Sequence, residues 1–287
     1  MGCTNSFMYN STAYKDVMYT EKVDKRLGKV FLMRSMATNT AYIAKELPSG
    51  QPEIYESKVN KYKFLFGSSS KLFLMPLSIT ETINVLKSEH SNVKSTGKSS
   101  FVKIEFFQRD FGDEFNVKAL KQKKFYSFEI WSLIYTLVFA LAAMDEHNLP
   151  IPKISFDDIL ITNNYYKLFY RQIFAELWSL NEDEPLTFDE ARFNIAFLVF
   201  EMAKEVKWDD LSEYNPQFHD HAFAVAQFED VKAKFEEELR SFVYNVLVMN
   251  SPRLTDFSGL RKHLVNIYDK MDYEVIDEKI IKDCEHI

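Results

Sequence analysis

The chain has 287 residues, 46% hydrophobic and 27% charged, the profile of an ordinary soluble globule rather than of a collagenous, disordered or disulfide-stapled protein. Its 35 basic and 42 acidic residues leave a net charge of −7, with the signs mixed along most of the chain, which argues against nucleic acid as a partner. Two cysteines at opposite ends, Cys3 and Cys284, offer neither a zinc spacing nor a disulfide framework, and this fits a reducing, cytoplasmic setting.

Residues 1–19 read as an N-terminal tail. Residues 29–34 and 41–47 read as two strands joined through a turn at Thr38-Asn39. Residues 53–66 have helical character, with Pro52 where a first helical turn tolerates proline. Residues 71–80 form a further strand candidate, 87–100 a Ser- and Lys-rich loop, and 101–107 a strand. Beyond residue 110 the character changes. Residues 130–144 are apolar nearly all round, as in a helix buried inside a domain, and about 15 apolar residues fall short of the roughly 20 that span a bilayer. Residues 193–202 are similar but shorter, and residues 154–169 read as strand, Asn163-Asn164 turn, strand. Phe228, Val231, Phe235, Leu239, Phe242 and Val246 recur every three or four residues, a helical apolar stripe. The order predicts an α+β protein divided near residue 108, with a small antiparallel-sheet lobe over 20–107, a mainly helical lobe over 108–270 and a charged tail over 271–287.

Glycine is scarce, 7 in 287, about a third of the usual share of roughly 7%. Few positions are therefore suited to backbone hugging a phosphate. With that in view, residues 20–270 resemble the protein kinase superfamily in a highly divergent form. Leu27-Gly28-Lys29-Val30 and the strand bearing Lys45 are similar to the segment from the glycine-rich loop to the ATP-phosphate lysine. Asp157-Asp158-Ile159-Leu160, followed by Tyr166-Lys167-Leu168, resembles the catalytic loop and the strand that leads to the metal-binding triplet. Residues 191–202 resemble the buried central helix, and Ser251-Pro252-Arg253-Leu254-Thr255 a late structural segment.

The resemblance implies a bilobal kinase-like fold whose chemistry has been dismantled. Phosphoryl transfer needs phosphate-covering glycines, a lysine paired with a helix glutamate, an aspartate at the substrate hydroxyl and Asn and Asp ligands for magnesium. Here only Gly28 stands before Val30, and Lys45 remains as a vestigial ATP lysine with Glu56 or Glu53 as its implied ion-pair partner. Lys153 takes the place of the catalytic aspartate, Ser155 that of the following lysine, and Asp158 the vestigial metal position of the asparagine. Tyr170-Arg171-Gln172 replaces Asp-Phe-Gly, and Ala191 stands where the central helix would begin with a backbone-anchoring aspartate. Lys153 and Arg171 are expected to neutralise Asp157 or Asp158 and so fill the former metal site. The expected function is a pseudokinase that binds or scaffolds proteins without a cofactor, with only weak ATP binding at most; the alternative is an atypical kinase working through Lys45 and Asp158. Met1-Gly2-Cys3-Thr4-Asn5-Ser6 fits N-myristoylation at Gly2 with palmitoylation at Cys3, and a membrane-attached or cytoskeletal protein assembly is the corresponding expectation for partners. The histidines, including His219 and His221, have no helical metal-ligand spacing.

Overall fold

The computed structural model describes residues 7–9, 14–35, 41–46, 62, 71–73, 76–83, 99–105, 109–121, 123–162, 165–170, 174, 184–204 and 221–271. The chain divides into two compact units: Met1–Phe66 with Leu74–Phe107 and Arg171–Glu182, and Gly67–Phe73 with Gln108–Tyr170 and Asp183–Ile287.

The first unit is built on a six-stranded antiparallel sheet. Its strands are β1 (Phe7–Tyr9), β2 (Tyr14–Asp24), β3 (Gly28–Ser35), β4 (Ala41–Glu46), β5 (Pro76–Ile83) and β6 (Ser99–Glu105), in the spatial order β1-β2-β3-β4-β6-β5. The β3–β4 hairpin falls where the turn-bounded apolar runs place it, with Phe31 opposite Ala44 and Arg34 opposite Ala41. Two differences from the sequence reading stand out. Residues 7–9 and 14–19, read as tail, are strands, and β5 begins at Pro76 rather than at Lys71. Proline at a strand's first residue withholds no ladder hydrogen bond, so it starts β5 rather than interrupting it. Strand β1 also touches β5, so the sheet curls until its two edges approach one another. Leu27, Val30, Tyr42, Ile43, Ala44 and Ile104 are buried in this unit. The helix expected over 53–66 lies outside the described residues.

Among its described residues the second unit carries six α-helices and a small sheet. Its helices are α1 (Phe111–Leu120), α2 (Ser127–Glu146), α3 (Phe188–Lys204), α4 (His221–Val231), α5 (Glu237–Phe242) and α6 (Phe257–Tyr268). Its antiparallel strands are β7 (Arg109–Asp110), β8 (Ile159–Thr162) and β9 (Tyr165–Leu168), in that order. Helix α2 is its axis. It is 20 residues long, longer than the apolar run predicts and sufficient by length and composition to cross a membrane. Every residue from Leu133 to Met144 is nevertheless buried, as α2 packs on α6, β9 and α3. The Tyr135 hydroxyl donates to the Leu264 carbonyl at 2.7 Å, which satisfies the polar tip of a buried ring. At the other end Glu146 takes the Arg261 guanidinium at 2.8 Å, so α2 and α6 run antiparallel and are pinned twice.

The stripe from Phe228 to Val246 is buried throughout, yet it is not one helix. A 3-10 turn at Lys232–Lys234 ends α4, Phe235 is extended at φ −95° and ψ 140°, and α5 passes into a π-helix at Val243–Val248. Burial at three- and four-residue intervals survives the break because each short helix restarts with its apolar side on the same core.

Candidate functional site

The described site residues singled out in the sequence fall into two groups, one in each unit. In the sheet unit they surround the β2–β3 hairpin. Asp24 pairs with Gly28 across a three-residue turn, and Gly28 adopts φ +69°, the left-handed geometry that ends such a turn. The Asp24 carboxylate closes the turn from inside. Its Oδ1 accepts from the amides of Arg26 at 2.9 Å and Leu27 at 3.0 Å, and its Oδ2 takes the Arg26 guanidinium at 3.2 Å. Both side chains of this pair are only 5% exposed. Burial pushes the Asp24 carboxyl up, but the Arg26 guanidinium and the two amides outweigh it and hold the group below its ordinary value of 3.8.

Consecutive amides converging on an anion are the hardware of a phosphate-binding loop. Here the anion is the chain's own carboxylate. Lys45, on β4, reaches the same corner: its Nζ donates to the Lys29 carbonyl at 3.4 Å and lies 4.0 Å from where a Cβ on Gly28 would stand. Burial lowers the Lys45 pKa, while the charges of Asp24 and Glu46 pull it back up. Glu56 and Glu53, the partners expected for Lys45, lie outside the described residues, as do Gly2, Cys3, Arg171 and Gln172.

In the helical unit the group runs from Ile151 to Tyr170. Lys153 is exposed, whereas the next residue, Ile154, is buried and held on both backbone atoms. Asn194, on α3, accepts from the Ile154 amide at 2.8 Å and donates to the Ile154 carbonyl at 3.0 Å. The backbone anchor expected at the head of the central helix is therefore present, but at Asn194 and not at Ala191. Ala191 is buried and only continues the helical ladder from Thr187. The two positions are three apart and share a helix face, so the same loop is reached from one turn further along. A carboxylate could accept from the Ile154 amide but could not donate to its carbonyl; the side-chain amide does both. A polar residue one position into the apolar stretch 193–200 was the available signal.

Ser155 and Asp158 form a reciprocal cap on the 3-10 turn Phe156–Asp158. Asp158 Oδ2 accepts from the Ser155 amide at 3.0 Å and from its hydroxyl at 2.8 Å. The Asp158 carbonyl accepts from the Phe169 amide at 2.7 Å, which locks the turn to the end of β9. Asp158 is 3% exposed, so this carboxylate is engaged in local backbone structure beneath the surface. Tyr170 is buried, its ring tilted against Phe73 and its hydroxyl donating to the Pro150 carbonyl at 3.3 Å. It fills the interior and presents no carboxylate.

The acidic stretch before α3 has a structural use as well. Thr187 and Glu190 cap α3, with the Thr187 amide donating to Glu190 at 2.7 Å. Asp189 takes the buried guanidinium of Arg192 at 2.9 Å, and the same guanidinium donates to the Val246, Leu247 and Val248 carbonyls of the π-helix. Arg253 is exposed, with φ 54°. Among the described residues no group of three His, Cys, Asp or Glu side chains is placed to hold a metal ion.

No family model matches the chain, and no curated protein matches it. Among solved structures it is similar to a chain of the complex of Neurospora crassa PAN2 (WD40-CS1) with PAN3 (pseudokinase and C-term). The identity is 13%, the TM-score 0.52, and the likeness covers 94% of this chain but only 64% of that one. At this identity the likeness is one of fold: an α+β chain with small antiparallel sheets and six α-helices, compatible with a bilobal kinase-like architecture.

Proposed function

We propose that this chain is a pseudokinase, a kinase-like domain that binds and scaffolds proteins and transfers no phosphoryl group. The reading rests above all on the β2–β3 hairpin. A loop that is to cover nucleotide phosphates must keep its amides open, and here the Arg26 and Leu27 amides are taken by the buried Asp24 carboxylate. Releasing them would expose a buried charge pair, so an incoming phosphate competes with an anion that never leaves. Two further features support the reading: Asp158 is engaged by Ser155, and Tyr170 is packed in the core. Catalysis of phosphoryl transfer is almost entirely positioning and charge stabilisation, so a site without free ligands for metal and phosphate has little to work with. The neighbour of similar fold is described as a pseudokinase in a complex with another protein, which fits the same role.

The test is nucleotide binding together with phosphotransfer. With millimolar Mg-ATP the chain should show no thermal stabilisation and no transfer to itself or to a generic substrate, and Lys45→Ala should behave like the parent. Lys45-dependent stabilisation or turnover would overturn the reading in favour of an atypical kinase. Acylation of Gly2 and Cys3 is a separate proposal, checked by the mass of the native N-terminus; a bare Gly2 would refute it.

A further inference from the structure

We propose that the segment joining α1 to α2 docks the protein on the surface of an anionic lipid bilayer. Five large apolar side chains are exposed among the described residues, and three of them lie in or beside this segment: Val117 late in α1, Tyr126 just before α2 and Phe128 in its first turn. Tyr126 is 67% and Phe128 49% exposed, and their rings stack at 5.8 Å with planes 12° apart. Lys121, Lys123 and Lys124 lie immediately before them and are exposed, and among the described residues no acid pairs with any of the three. Lys118, one turn earlier, is by contrast engaged by Glu129.

The presentation is rigid. Between the lysines and the exposed pair, Phe125 points inward and stacks on Phe115 at 5.4 Å, with the Lys118 ammonium 4.7 Å from its ring centre. The Tyr126 amide donates to Glu129 at 2.9 Å, and the Lys123 amide to the Lys118 carbonyl at 2.9 Å. The chain is thus tied down on either side, and Tyr126 and Phe128 are held outward at no further entropic cost.

Three free cations in a chain of net charge −7 select an anionic occupant. The adjoining aromatic pair selects one that offers an apolar layer beneath its anionic plane. A bilayer surface has both: tyrosine and phenylalanine rings settle at headgroup depth, and lysines reach the lipid phosphates. An acidic peptide would satisfy the lysines but gives the rings no such layer. This proposal does not depend on the pseudokinase reading or on acylation.

The experiment is vesicle co-sedimentation of the full, unacylated chain. The vesicles are phosphatidylcholine alone and an equimolar mixture of phosphatidylcholine and phosphatidylserine. Binding should appear on the mixed vesicles only and fall as salt is raised. Reversing Lys121, Lys123 and Lys124 to Glu should weaken it on the order of a hundredfold, about fivefold for each lysine lost and more for the repulsion added. Tyr126→Ser with Phe128→Ser should weaken it with the lysines intact, and both variants are checked for unchanged thermal unfolding; if the charge reversal does not fold, the aromatic pair alone decides. Equal binding to both vesicle types overturns the proposal, as does binding indifferent to the aromatic pair. Preferential capture of soluble polyglutamate over vesicles would assign the patch to an acidic protein segment and overturn it equally.

Discussion

Two buried aspartates, Asp24 in the sheet unit and Asp158 in the helical unit, are both engaged by their own backbone neighbourhood. They differ in what holds them. Asp24 has a cationic partner as well as two amides, so its interaction is charge-assisted and lowers its pKa. Asp158 is met by a serine hydroxyl and amide, neutral donors in a reciprocal cap. A buried carboxylate can be satisfied by a counter-charge or by making it a cap. The first leaves a buried ion pair that is costly to break; the second leaves an ordinary turn.

The contrast can be broken most forcefully at Asp24. Asp24→Ala leaves the Arg26 guanidinium buried without its anion and should cost about 4 kcal/mol in denaturant unfolding. Hydrogen exchange at the Arg26 and Leu27 amides should rise with it. Because the folded carboxyl is held below 3.8, its stabilisation is complete above about pH 4 and is lost as pH falls through the lower, folded value. Asp24→Asn should remove that acid-limb dependence; an unchanged limb would show that the pair does not couple to folding.

On the helical side, Asn194→Ala orphans a buried amide and a buried carbonyl on Ile154 and should cost about 3 kcal/mol, read as a lower urea midpoint at unchanged slope. Asn194→Asp keeps the acceptor but loses the donor, so it should fall between parent and alanine. Next in size is Gly28→Ala. A Cβ there has room, its nearest neighbour being Lys45 Nζ at 4.0 Å, so the cost of about 1.5 kcal/mol comes from the left-handed backbone alone. The smallest effect is expected at the neutral cap, where Ser155→Ala should cost about 1 kcal/mol in denaturant unfolding.

The sequence made some of this plain and concealed the rest for physical reasons. Long, mainly apolar runs mark α2 and α3, because a helix buried on most sides leaves little polar face to blur the signal. The β3–β4 hairpin is equally visible through its turn. Strand β2 is not, since its first part falls within residues 1–19, read as tail, and Thr20-Glu21-Lys22-Val23-Asp24 alternates poorly. The stripe from Phe228 to Val246 misled because spacing reports which side chains are buried, not whether the hydrogen-bond ladder between them is continuous. At the site, Lys45, Asp158 and Tyr170 could be picked out by position, but what each does depended on neighbours that sequence does not show. Asp24 drew no notice because a carboxylate at a turn looks ordinary until its partner Arg26 is seen to be buried with it. Asn194 was passed over because the search there was for a carboxylate, whereas the backbone of Ile154 asks for a group that both gives and takes.

Helix α2 sets a problem for the chain as it is made. Strand β9 follows it soon, but the two helices that cover it span residues 188–204 and 257–268, so synthesis delivers a 20-residue apolar segment well before most of its cover exists. During that interval the segment has the length and composition that membrane-insertion machinery accepts, and its escape into water depends on the speed of elongation and on whatever chaperone holds it. Chains stopped before residue 188 would lack both covering helices permanently and should be recovered with membranes or chaperones, not as a folded half.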